Sequence, residues 1–114
     1  MGGGLLTGKY SAGETGRLTE DARYAARYAL PIMTQAADRL STIAAKHAVH
    51  PATLAVAWAA ASPFGVQPIL SARSVAQLQP SLDAVSFEMT ADLYAEIAAL
   101  VPAPPPATDR LEEA

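Results

Sequence analysis

Only one segment of this chain reads as a β-strand, and a strand cannot stand alone. Val66-Gln67-Pro68-Ile69-Leu70 is a short apolar run after Gly65, the profile of a brief buried strand, although Pro68 has no amide to give to a ladder. The whole chain reads as loop, helices, helix, strand, helix, helix, tail. Parallel strands need long, usually helical, crossovers between them, so one strand set among helices predicts a parallel sheet or barrel whose other strands lie elsewhere.

The helices announce themselves through their ends. From about Ala22 to Ala48 the composition is helical, with Pro31 expected to divide a short first helix from a second. In the second, Leu40, Ile43, Ala44 and His47 recur at i, i+3, i+4 and i+7 and predict one apolar stripe. Pro51 stands where a helix favours its first residue, and the Ala-rich run that follows, with Leu54 and Trp58 on one face, continues until Ser62-Pro63-Phe64-Gly65 stops it. Ser74 with Gln77 matches a capping box, so a helix should begin there and be kinked or ended by Pro80. A last helix is expected from Thr90, with Leu93, Ile97, Leu100 and Val101 as its stripe, before an extended Pro-rich run and a polar terminus. The first 22 residues, rich in Gly, Thr and Ser, predict a loop with no regular element.

A hydrophobic fraction of 51% overstates the core, because 26 of these residues are Ala. The core should be thin, with Ala faces that let neighbouring elements approach closely. The absence of Cys removes disulfides, thiolate catalysis and Cys-ligated zinc, and fits a reducing cytoplasm. No apolar run is long enough to span a membrane and no export signal is recognisable, so the expectation is a soluble, cytoplasmic chain with no membrane partner. A net charge of −3 with interspersed signs argues against a nucleic-acid surface.

Two segments have the chemistry to meet an anion. In Gly2-Gly3-Gly4-Leu5-Leu6-Thr7-Gly8-Lys9-Tyr10 the glycines would let backbone amides approach, with Lys9 adding charge; this is not a phosphate-binding P-loop, because no Ser or Thr follows Lys9. The residues alone favour a plain glycine turn. In Ile69-Leu70-Ser71-Ala72-Arg73-Ser74-Val75-Ala76-Gln77 a strand end, an Arg and a helix N-terminus coincide, so free amides, helix dipole and guanidinium fork all favour phosphate. Alternatively Ser74 and Gln77 only cap the helix while Arg73 meets a carboxylate or solvent. His47 and His50 lack companion ligands for a metal, and Tyr24, Tyr28 and Tyr94 read as packing residues.

Taken in order, Gly4-Leu5-Leu6-Thr7-Gly8-Lys9-Tyr10, Leu54-Ala55-Val56-Ala57-Trp58 and Pro68-Ile69-Leu70-Ser71-Ala72-Arg73-Ser74-Val75-Ala76-Gln77-Leu78 resemble the C-terminal third of an aldo/keto reductase. The resemblance implies an α/β fold, the C-terminal βα units of a TIM (β/α)8 barrel, in a chain that by itself is mostly α-helical with one or two short strands. It implies an oxidoreductase that reduces carbonyls to alcohols with NADPH as cofactor. It also implies three parts: a cofactor-loop-like segment over 1–22, helices and strand eight over 23–101, and a Pro-rich tail over 102–114. Gly4, Leu5, Thr7, Gly8 and Lys9 resemble the loop that folds over the cofactor, and Arg17 an Arg in the same excursion. Ser71, Arg73, Ser74 and Gln77 resemble the segment that holds the adenosine 2′-phosphate and adenine, Arg73 favouring NADPH over NADH. The family carries an acidic residue and an adenine-contacting Asn where this chain has Pro80 and Ser81. Its catalytic Asp, Tyr, Lys and His belong to the first half of the barrel, to which nothing here corresponds, so no catalytic residue is assigned and no turnover is expected of the chain alone.

The leading expectation is therefore a barrel segment from a truncated or split gene that keeps much of the NADPH-binding surface, with a missing N-terminal barrel segment as a partner. The competing expectation is a helical interaction module, self-associating as a homo-oligomer through faces that once lay on a barrel.

Overall fold

The computed structural model describes residues 1–103. The Pro-rich tail expected over 102–114 lies almost wholly outside the described residues. Six α-helices are present among these residues: α1 (Arg17–Glu20), α2 (Ala22–Tyr28), α3 (Pro31–Lys46), α4 (Pro51–Ala60), α5 (Val75–Leu82) and α6 (Ala91–Ala98). Two 3-10 segments, Gly2–Thr7 and Asp83–Ser86, accompany them.

Most helix starts follow from local chemistry. Pro31 and Pro51 occupy the first helical position of α3 and α4, where a missing amide costs nothing. His50 caps α4, its Nδ1 accepting from the Ala52 amide at 3.0 Å. Thr90 caps α6 by accepting from the Leu93 amide at 3.2 Å, and Asp21 caps α2 by accepting from the Arg23 amide at 2.9 Å.

α3, α4 and α6 make the core, in which Leu40, Ile43 and Ala44 meet Leu54, Leu93 and Ile97. Leu54 and Ala44 are completely buried. Trp58 closes one side of the core: its ring stacks on Tyr94 with centroids 5.3 Å apart, and its Nε1 donates to the Tyr94 carbonyl at 3.1 Å. Buried Thr53 donates its hydroxyl to the Pro80 carbonyl, which ties α4 to α5.

Five local expectations are corrected. Residues 66–70 run without regular structure and pair with no strand among the described residues; Ile69 is 99% exposed, because the segment has no neighbouring strand to complete a ladder. Residues 1–22 are not plain loop, since Gly3 (φ 64°) and Gly4 (φ 96°) fold the first segment into a 3-10 turn that a side chain would oppose. A Cβ on Gly3 would fall 2.7 Å from Leu18 Cδ1. Pro80 does not end α5, which runs two residues further before tightening into the second 3-10 segment. His47 leaves the stripe of α3: it is the exposed C-cap and meets the Phe87 ring edge-on, while Val101 lies beyond the end of α6 and is also exposed.

Candidate functional site

The glycine-rich segment is knitted to the two short helices that follow it. Thr7 Oγ1 donates to the Gly4 carbonyl at 2.7 Å and accepts from the Lys9 amide at 3.4 Å, closing the turn. A Cβ on Gly4 would lie 2.9 Å from Lys9 Cε, so the absence of a side chain lets the Lys9 stem pass. Gly8, left-handed at φ 79°, ends the turn. Leu5 is buried, which leaves only its backbone to meet a ligand.

The two cations of this segment are both held by tyrosines. Lys9 Nζ donates to the Thr15 carbonyl at 3.2 Å and stands 4.9 Å from the centre of the Tyr10 ring. Arg17 Nη1 donates to the Tyr24 hydroxyl at 3.1 Å, with the guanidinium 5.3 Å from that ring's centre. The Tyr10 hydroxyl donates to the Gly3 carbonyl at 2.8 Å and accepts from the Leu18 amide at 3.1 Å. Gly4, Thr7 and Lys9 thus share one network, and Arg17 stands beside it on a separate contact with Tyr24. No spacing rule exposes the role of Tyr10, because its hydroxyl reaches across the loop to the backbone of Gly3 and Leu18.

The second group sits at the N-terminus of α5. Ser74 Oγ accepts from the Gln77 amide at 3.1 Å, as the capping box requires. Gln77 Oε1, however, accepts from the Arg73 amide at 2.8 Å, one residue earlier than that motif specifies. The turn thereby fixes the backbone of Arg73. Its guanidinium has no hydrogen-bond or carboxylate partner among the described residues. The amides of Ser74, Val75 and Ala76 have no protein acceptor there either, so the positive end of α5 faces solvent. Ser71 is exposed and joins no hydrogen bond in the group. No hydrogen bond links this group to the glycine-rich one among the described residues.

Elsewhere, Asp21 is held below the ordinary carboxylate range, first by the Arg23 side chain and then by the Arg23 amide it accepts from. That pair, with Nη2 to Oδ2 at 3.0 Å, is a cap and not part of either group. His47 and His50 serve as helix caps, and no cluster of three metal-ligating side chains occurs among the described residues. No described helix is long and apolar enough to cross a membrane.

The aldo/keto reductase family model matches residues 1–102. This chain belongs to the aldo/keto reductase family. It is 32% identical over 103 residues to Protein tas of Escherichia coli strain K12, and equally to Protein tas of Shigella flexneri. The alignment covers 88% of this chain and 30% of each relative, so the chain spans about a third of the curated relatives it matches. Membership supports an oxidoreductase-like segment and implies the family's α/β barrel, to which this chain contributes a mostly helical part.

Proposed function

We propose that this chain supplies the surface of a carbonyl-reducing oxidoreductase that holds the phosphate and adenine of NADPH, without turnover of its own. The observation that carries the reading is the α5 N-terminus, where three amides and the Arg73 guanidinium, all without a partner among the described residues, adjoin on a backbone fixed by Gln77. The donor set fits a phosphate monoester: amides along a helix axis and a guanidinium fork are both complementary to a doubly charged oxyanion. Ser71, Arg73, Ser74 and Gln77 would hold the 2′-phosphate and adenine, and Gly4, Leu5, Thr7, Gly8, Lys9 and Arg17 would cover the remainder. Bound NADPH would supply the hydride; the residues of this chain bind and orient it. The acid that protonates the carbonyl has no counterpart among the 114 residues by the family's pattern. Family members generally use NADP(H), which agrees with the phosphate chemistry of Arg73.

A thermal melt followed by circular dichroism with and without NADPH tests this, since a ligand that binds only the folded state raises its stability. NADPH should raise the midpoint and Arg73→Ala should abolish the rise, with NADH acting more weakly than NADPH. An unshifted melt of the wild type overturns the proposal. Loss of NADPH absorbance with an aldehyde present would overturn its second half.

A second reading, self-association, draws on one observation. Phe64, Ile69, Val75 and Val85 are all at least 78% exposed, a display of large apolar side chains that a second copy could cover. Sedimentation showing one monomeric species across concentration would remove it.

A further inference from the structure

We infer that α5 and the 3-10 turn after it form a self-complementary surface through which two copies of this chain pair antiparallel. The inference rests on the self-association reading and adds to it the face, the direction and the contacts. Most of the large apolar side chains exposed among the described residues fall within residues 64–85. Inside that stretch Val75, Leu78, Leu82 and Val85 recur at intervals of three, four and three residues. An α-helix of about 3.6 residues per turn puts the first three on one side, and a 3-10 turn of about three residues per turn sets Val85 in line with Leu82. Leu78 is half-buried, whereas Val75 is 78%, Leu82 44% and Val85 90% exposed. Half-buried Pro80, Ser81 and Ala84 lie on the other side, where Thr53 of α4 reaches the Pro80 carbonyl. The apolar stripe therefore faces away from the element that α5 packs against.

Two features make a second copy the occupant. The stripe reads Val, Leu, Leu, Val with the same intervals in both directions. A two-fold interface needs residue i to meet j wherever j meets i, and this pattern supplies that when Val75 meets the partner's Val85 and Leu78 meets the partner's Leu82. The charges at its ends are complementary in the same sense. Arg73 stands before the stripe, while exposed Asp83 and Glu88 stand at and beyond its far end, and none of the three has an ion-pair partner among the described residues. Antiparallel pairing brings each Arg73 to the acidic end of the other copy and opposes the two helix dipoles, whereas parallel pairing would set Arg73 against Arg73.

So short a stripe buries less than a standard protein interface, so the pairing is reversible and depends on concentration. Arg73 serves one role at a time, so a phosphate held there and the paired state exclude one another; that consequence alone draws on the cofactor reading.

The chain contains no Cys, so single cysteines report the pairing directly. Full-length Val75→Cys and Val85→Cys chains, mixed in equal amounts under mild oxidation, should form a disulfide-linked heterodimer at least about tenfold faster than either variant links to itself, because only facing positions come within disulfide reach. Faster linkage of Val75→Cys to itself would mean a parallel pair and overturn the inference. In sedimentation, Val85→Lys should weaken association by at least about tenfold, since both copies lose an apolar contact, while circular dichroism reports an unchanged fold. If Ile69→Ser disperses the copies and Val85→Lys leaves them paired, self-association stands and the α5 pairing falls. One monomeric species at every concentration overturns both.

Discussion

Residues 62–74 and the α3–α4–α6 core draw on the same side chains and treat them oppositely. Leu40, Ile43, Leu54, Leu93 and Ile97 are all buried, whereas Phe64, Val66 and Ile69 in the connection are exposed, Ile69 almost completely. Apolar character alone therefore decided neither outcome. In the core each helix presents its stripe to another helix of the same chain, so burial removes apolar area from water on both sides. In the connection the neighbour would have to be a strand, and none lies beside it among the described residues.

The contrast can be broken from the core side first. Leu54→Ala should cost about 2–5 kcal/mol of stability by urea denaturation, because the residue is completely buried and its cavity is walled by three helices. A loss below about 1 kcal/mol would show that the helices are not packed as described. Between the two regions stands Ser74, where the exposed connection becomes α5. Ser74→Ala should cost about 1 kcal/mol, the usual worth of an N-cap, and no change would mean that α5 is not held by its cap. At the other extreme, Ile69→Ser should change stability by no more than about 0.5 kcal/mol while lowering any self-association seen by sedimentation. A large destabilisation there would mean that the segment is buried against something in solution.

The same division explains how much could be read in advance. The starts of α3, α4, α5 and α6 were legible because a cap or a first-turn proline involves only three or four neighbouring residues. The core stripe through Leu40, Ile43 and Ala44 was legible for the same reason, since helical periodicity puts those residues on one face. At Pro80 a kink or an end was expected; α5 does not end there, and the Pro80 carbonyl accepts from Thr53, a partner 27 residues away. The α5 group was legible at Ser74 and Gln77, but the fixing of the Arg73 backbone by Gln77 required the actual turn. The glycine-rich group was legible only as a list of glycines and cations; its contacts with Tyr10 and Tyr24 depend on loop ends meeting in space.

Local sequence settled where helices begin and which faces are apolar, because those properties act over a single turn. Tertiary structure decided the rest: that residues 66–70 find no strand and Arg73 no carboxylate among the described residues, that Thr53 ties the Pro80 carbonyl to α4, and that Lys9 and Arg17 lie against tyrosine rings. Strand pairing, buried hydroxyl bonds and cation–aromatic contacts each need a second element at a definite place, and only the folded chain supplies or withholds it.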